Sequence, residues 1–207
     1  MSLMRDRNGS IWVGTMMNGI TRIDPVSGTS TNFRHDEGNP ESLSANGIMT
    51  MFEDRSGLVW IGTFGGGISR YNPANGKFER FVANTDDPNS LGSNRITSFA
   101  EDANGNMWIG TDAGGLNLFD RKNERFHQFR HDPMDIRTVA SDTIYAVNID
   151  SNGDVWVGTQ GGGLDRVVGS TTAPESITFA NVSAKDGLAN DVIYGVQFDA
   201  SGWGWMS

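Results

Sequence analysis

Tryptophan recurs in this chain at one fixed interval. Trp12, Trp60, Trp108 and Trp156 are each 48 residues apart, and Trp205 follows 49 later. Each stands in the same frame: DRNGSIWVGT, DRSGLVWIGT, DANGNMWIGT, DSNGDVWVGT and finally DASGWGWMS. A Gly-rich step and an alternating apolar segment come next (NGITRID, GGGISRYN, AGGLNLFD, GGGLDRV). Phe33, Phe81, Phe129 and, off the strict interval, Phe179 follow, and an apolar pair around Ile48, Ile96, Ile144 and Ile193 closes each unit. Landmarks of this kind, held at one period, mark a repeat architecture in which one supersecondary unit is copied along the chain.

Each unit reads as four short strands. Strand a is GIMTMFED, RITSFAED, TIYAVNID or VIYGVQFD; strand b carries the Trp; strand c follows the glycines; strand d surrounds the Phe. β-Branched and aromatic residues alternate with polar ones, as half-buried strands require, and no long stretch has a helical period. Hydrophobic residues make up 37% of the 207 residues, and 27 glycines with many Asn, Asp and Ser fill the difference, which suits many strands joined by tight turns. Four strands per 48 residues is the signature of propeller blades. The fold class is therefore all-β: blades of four antiparallel strands, about four in this chain. In the frame D-x-x-G, Asp54 with Gly57, and Asp102 with Gly105, shape the a–b hairpin turn, the Asp accepting from turn amides and the Gly taking positive φ. The Trp is large enough to fill the space between neighbouring blades. Trp12, Trp60, Trp108, Trp156 and Trp205 are thus the structural residues of the repeat.

The landmarks place a partial first blade at residues 4–35, complete blades at 47–83, 95–131 and 143–181, and a partial fifth at 192–207. On this reading the chain enters at strand b and leaves at strand b. The last strand a, Val192 to Phe198, could complete the first blade; two chains could instead pool their blades; or the strands could form an open arc with exposed edges, which favours pairing with another chain. Homodimerisation through blade pairing is the favoured reading.

The run from Phe52 to Pro73, FEDRSGLVWIGTFGGGISRYNP, closely resembles the two-component regulator propeller repeat. The paired features D-x-x-G-x-x-W-[IV]-G-T and G-G-[IL] carry the resemblance, which extends over essentially the whole chain. It implies the periplasmic sensor region of a hybrid two-component or related bacterial receptor, of a kind that commonly responds to carbohydrates or other nutrients. Kinase, receiver and DNA-binding patterns are absent from these residues, so the chain reads as the input side of a signal. The opening Met1-Ser2-Leu3 shows no basic-then-apolar signal pattern and reads as the start of a fragment.

In a propeller the b–c loops and the d–a connectors share one face, where ligands most often bind. The b–c loops open with Met16, Phe64, Asp112 and Gln160, again 48 apart. Their flanks barely change, yet this position differs in every blade. That variety suggests contact with something asymmetric, a small molecule or oligosaccharide; unconstrained exposed loop residues are the alternative. The connectors end in Asn46, Asn94, Asp142 and Asp191, which could ring the channel mouth and bond a polyol or, more in keeping with Asn and Asp, bond local backbone. Leu43, Leu91, Val139 and Leu188 plug gaps between blades.

Other chemistries find little support. A net charge of −9 disfavours nucleic acid, and no apolar run is long enough to span a membrane. There is no cysteine. His35, His127 and His131 are scattered, so no metal site is expected, and His35 and His131 read as repeat positions with a turn role. The DRNG, DANG and DSNG turns are not calcium loops: the twelfth position from Asp150 is Gly161, where an EF-hand needs glutamate. No cofactor and no catalytic residue are expected. A propeller hydrolase or lyase acting on a glycan, with Asp112 and Asp142 as candidate carboxylates, and a scaffold that only dimerises receptors are the competing functions.

Overall fold

A computed structural model describes residues 2–199 and 201–207. The chain divides into two compact units: one runs to Ala83 and includes Asn94–Ile96; the other comprises Asn84–Ser93 and Thr97–Ser207. The first unit holds two four-stranded antiparallel sheets, β1 to β4 (Ser2–Arg5, Ile11–Gly14, Ile20–Ile23, Ser30–Phe33) and β5 to β8 (Ile48–Glu53, Val59–Thr63, Ile68–Asn72, Lys77–Phe81). The second holds β9 to β12 (Ile96–Glu101, Met107–Thr111, Leu116–Asp120, Arg125–Phe129), with only Ile96 assigned to the first unit. It also holds β13 to β16 (Ile144–Ile149, Val155–Thr159, Leu164–Val168, Thr178–Val182) and a two-stranded sheet of β17 (Val196–Phe198) and β18 (Gly204–Met206). Strands pair in chain order within every sheet, which is the blade arrangement.

The expected entry at strand b is corrected. Ser2–Arg5 pairs antiparallel with Ile11–Gly14 in the register Ser2↔Gly14 to Arg5↔Ile11, so the first blade has its own strand a. The signal was thin because SLMR offers only two apolar residues. With that place filled, Val192 to Phe198 is not needed there; its last three residues pair with Gly204–Met206 instead.

The frame D-x-x-G-x-x-W is a single hydrogen-bonded device. In the first blade, Asp6 Oδ1 accepts from the amides of Asn8 (3.1 Å) and Ser10 (2.8 Å), and Oδ2 accepts from Trp12 Nε1 (2.9 Å). The carboxylate closes the turn and fixes the indole six residues on. Trp60 donates likewise to Asp54 (2.7 Å), Trp156 to Asp150 (3.0 Å) and Trp205 to Asp199 (3.4 Å). Trp108 breaks the series: its Nε1 is buried without a partner, while Asp102 Oδ2 takes Asn106 Nδ2 at 3.3 Å.

Packing follows the indoles. Trp12, Trp60 and Trp108 are buried, and Phe33, Phe81 and Phe129 stack on them at 5.8, 6.0 and 5.8 Å. Each buried aromatic side chain contributes about 1.5–3 kcal/mol. Arg22, Arg70 and Arg166 lie over Trp12, Trp60 and Trp156, whereas buried Leu118 holds that place beside Trp108. Trp156 is half-buried and Trp205 is 66% exposed, since no sheet among the described residues follows β18 to cover it. Leu43, Leu91 and Val139 are buried as expected, with Leu188 packed against the cluster of Leu164 and Ile193.

The b–c turn needs glycine for a steric reason. Gly19, Gly67, Gly115 and Gly163 have φ between 68° and 80°, and a Cβ on any of them would come within 2.1–2.3 Å of the carbonyl oxygen of Phe33, Phe81, Phe129 or Val182. The Thr of each W-[IV]-G-T caps the same turn, for example Thr63 Oγ1 donating to Gly67 O at 2.8 Å.

Candidate site on the loop rim

The four connector residues share one role. Asn46 Oδ1 accepts from His35 N (2.8 Å), Asn94 Oδ1 from Ala83 N (2.7 Å), Asp142 Oδ1 from His131 N (2.9 Å) and Asp191 Oδ1 from Ala184 N (2.6 Å). Their carbonyls receive the amides of Gly19, Gly67, Gly115 and Gly163 at 2.7–3.0 Å. Each residue therefore clasps the end of strand d to the next strand a and to the b–c turn, using one side-chain oxygen for local backbone. His35 and His131 brace the same connectors: Nδ1 donates to Leu43 O (2.7 Å) and Val139 O (2.9 Å).

The b–c loops meet the connectors through a second set of bonds. In the first unit Phe64 N donates to Gly47 O (2.8 Å), and the Phe64 ring lies 4.5 Å from the Arg95 guanidinium carbon. In the second unit Gln160 N donates to Thr143 O (3.0 Å), while Thr143 Oγ1 donates to Asp112 Oδ1 (3.3 Å) and receives Ala113 N (3.2 Å). Met16 and Phe64 are each 48% exposed, Gln160 is exposed and Asp112 half-buried. Of the predicted rim residues, the first unit holds Met16, Asn46, Phe64 and Asn94, and the second holds Asp112, Asp142, Gln160 and Asp191.

Several participants were not singled out by sequence. Ser69, Asn117 and Asp165 are buried polar residues of strand c that receive the connector amides of Ser44, Gly92 and Ala140, all at 2.8 Å. Burial raises the Asp165 pKa above the ordinary value, against the lowering effect of the Ala140 amide and Asn181. These three stand 48 residues apart, a signal hidden because each has a different side chain. Ala113 has φ 61°, where the second and fourth blades place Gly65 and Gly161. Arg130 donates to Ala113 O (3.1 Å) and pairs with Asp142 (3.1 Å), tying the strained residue to the connector.

Clefts of about 550 Å³, lined by Glu41, Arg70, Lys77 and Arg80, and about 450 Å³, lined by Arg130, Arg137 and Glu175, include none of the eight rim positions. Among the described residues no three His, Asp or Glu side chains converge as a metal site, and no helix is long and apolar enough to cross a membrane.

The family model of the two component regulator propeller matches residues 42–65, 90–113 and 138–161. Each match runs from the connector, through strands a and b, into the b–c loop. No curated protein matches the chain. Among solved structures, the extracellular domain of BT4673 from B. thetaiotaomicron, a candidate hybrid two component system, is 25% identical with a TM-score of 0.77; the match covers 100% of this chain and 28% of that one. The extracellular domain of BT3049 from the same organism, likewise a candidate hybrid two component system, is 18% identical with a TM-score of 0.80, covering 100% and 27%. Virginiamycin B lyase from Staphylococcus aureus shares the fold at 15% identity and a TM-score of 0.70, covering 99% and 61%. This chain thus spans little more than a quarter of the extracellular domains it resembles. Its blades are β-propeller blades, and three of its repeats match the two component regulator propeller model.

Proposed function

We propose that the chain is a ligand-sensing, extracytoplasmic propeller segment of a bacterial signal-transduction receptor. One observation carries this reading. The clasp bonds at the rim recur blade after blade, yet the projecting position changes from Met16 to Phe64, Asp112 and Gln160. A frame held constant around a variable position suits recognition of an asymmetric molecule, since loop residues on a rigid scaffold are where binding functions concentrate. The likeness to extracellular domains of two-component systems supports the extracytoplasmic side. A bound ligand would act by favouring one blade or subunit arrangement over another, and the output domain would read that shift.

The test is a thermal-shift screen of oligosaccharides and other nutrients, with product analysis of every hit. The reading expects a saturable rise in melting temperature without product, lost in Phe64→Ala or Gln160→Ala. Turnover of a glycan, abolished in Asp112→Asn, would transfer the site to the lyase-like reading. A screen blank for every compound would overturn the sensing role. Sedimentation velocity tests the accompanying proposal that two chains associate through their open sheet edges.

A further inference from the structure

The third blade departs from the others at its indole, and the departures meet in one place. Trp108 is fully buried with Phe129 stacked on it, yet its Nε1 has no acceptor. In the first, second and fourth blades the same atom donates to the turn carboxylate at 2.7–3.0 Å. Asp102 is the matching carboxylate, and it is buried. Its Oδ1 holds the amides of Asn104 (2.8 Å) and Asn106 (2.9 Å), but its Oδ2 takes only a long bond from Asn106 Nδ2 (3.3 Å). Strand c supplies no cation here. In the first blade Arg22 lies over the indole and pairs with Asp6 Oδ2 at 3.5 Å. Leu118 stands at that place beside Trp108, and Asp102 has no ion pair among the described residues.

A cleft of about 180 Å³ borders both groups. One wall is the a–b turn of the third blade, Asp102 to Asn104, with Trp108. The other belongs to the fourth blade: Val155, Val167 and the loop at Ser170 and Thr171. That loop is long. Residues 169–177 join strands c and d there, where 73–76 and 121–124 suffice in the second and third blades. It reaches back to the third blade, Asn104 Nδ2 donating to Thr171 Oγ1 at 3.0 Å. The cleft lies wholly within the second unit, and both walls are sheets with all four strands in place.

The chemistry of the two groups selects the ligand. Trp108 Nε1 only donates, and an ionised Asp102 only accepts. A group seated between them must accept from one and donate to the other. An ammonium cannot accept. A carboxylate cannot donate and is repelled by Asp102 in a chain of net charge −9. A hydroxyl does both. Asn104 and Thr171 offer further polar contacts, while Val155, Val167 and the indole present an apolar side. At ~30 Å³ for each water-sized group, the cleft takes roughly six non-hydrogen atoms. A buried N–H without an acceptor costs about 1–3 kcal/mol, so a ligand that satisfies it is favoured.

We propose that this cleft between the third and fourth blades binds a small neutral polyol, one hydroxyl accepting from Trp108 Nε1 and donating to Asp102 Oδ2. The site stands at the a–b turns, away from the b–c loops, and does not rest on the sensing role given to the rim.

The probe is glycerol, titrated into the chain with ¹⁵N-labelled indoles. Trp108→Phe identifies the Trp108 signal, and Trp60 is the internal control because its Nε1 already donates to Asp54. Glycerol shifts the Trp108 signal saturably and leaves Trp60 at the drift common to all indoles. Ethylene glycol dimethyl ether has as many non-hydrogen atoms but no hydroxyl; it accepts without donating and binds at least about fivefold more weakly. Asp102→Asn keeps an oxygen for the turn amides and puts a donor in the place of Oδ2. It weakens glycerol roughly tenfold, while the Trp12 and Trp60 signals report an intact fold. Should that variant not fold, Thr171→Val carries the test: it lies outside every strand and removes a polar contact of the cleft, weakening glycerol at least about threefold. If glycerol moves Trp108 no more than Trp60, water alone bridges the indole and the carboxylate, and the polyol site is overturned. Equal binding of the ether, or glycerol binding unchanged in the folded variants, overturns it too. None of these outcomes bears on the rim, whose own test reads Phe64 and Gln160.

Discussion

Replacing Asp54 with alanine removes the acceptor that joins a hairpin turn to a buried indole. Asp54 is fully buried and takes Trp60 Nε1 (2.7 Å), Ser56 N (2.8 Å), Ser56 Oγ (2.6 Å) and Leu58 N (3.0 Å). Trp60 is itself fully buried, so its N–H would be left without an acceptor, at about 1–3 kcal/mol. The two turn amides regain partial contact with water and add about 1 kcal/mol together. The expected loss is therefore about 3 kcal/mol, or about 1 M in urea midpoint for a slope near 2–3 kcal/mol/M. Asp102→Ala is the matched control. Asp102 holds the amides of Asn104 and Asn106 and, at 3.3 Å, Asn106 Nδ2, but not Trp108 Nε1, so only the turn share, about 1 kcal/mol, should be lost. Asp199→Ala should cost less still, because Trp205 is exposed and its bond is long at 3.4 Å. The six indole N–H resonances in a urea series let each blade report its own midpoint. Equal losses for Asp54→Ala and Asp102→Ala, or a loss under about 1 kcal/mol for Asp54→Ala, would refute the claim that the carboxylate–indole bond holds the blade together.

Acid should loosen the same device in the fourth blade. Burial works against the charge on Asp150, but bonds from Trp156 Nε1 and the amides of Asp154, Asn152 and Gly153 together outweigh it, so its pKa lies below the usual 3.8. A depressed carboxyl contributes stability that is fully present above 3.8 and lost as pH falls through the folded value; urea midpoints across pH 5 to 2 should drop, with a shallower slope in Asp150→Asn. Ala113→Gly should leave stability within about 0.5 kcal/mol or raise it, because φ 61° is the region glycine enters freely, while Gly161→Ala at φ 78° should cost about 1 kcal/mol though its Cβ meets nothing within 4 Å. Asn94→Ala should lower the melting free energy by about 1 kcal/mol through the lost Ala83 amide bond, and Asn94→Asp should retain it.

Architecture was legible in the residues because a blade is a local object. Trp, Gly, Thr and Phe at a constant interval specify four paired strands and the turns between them, and sequential pairing needs no long-range information. The exposed b–c positions Met16, Phe64 and Gln160 were legible for the same reason. What the residues could not reveal depends on partners distant in the chain. Asn117 reads as one more polar residue until its amide oxygen is seen holding Gly92, 25 positions away. Tyr145 looks like an ordinary strand aromatic until a register shift turns it out of the ladder and its ring stacks on that of Tyr194, 49 positions away. The first strand went unread because SLMR becomes a strand only once Ile11–Gly14 supplies its hydrogen bonds. Periodicity in a sequence records what every blade needs in common; the contacts unique to one place arise only when separate repeats are brought together in space.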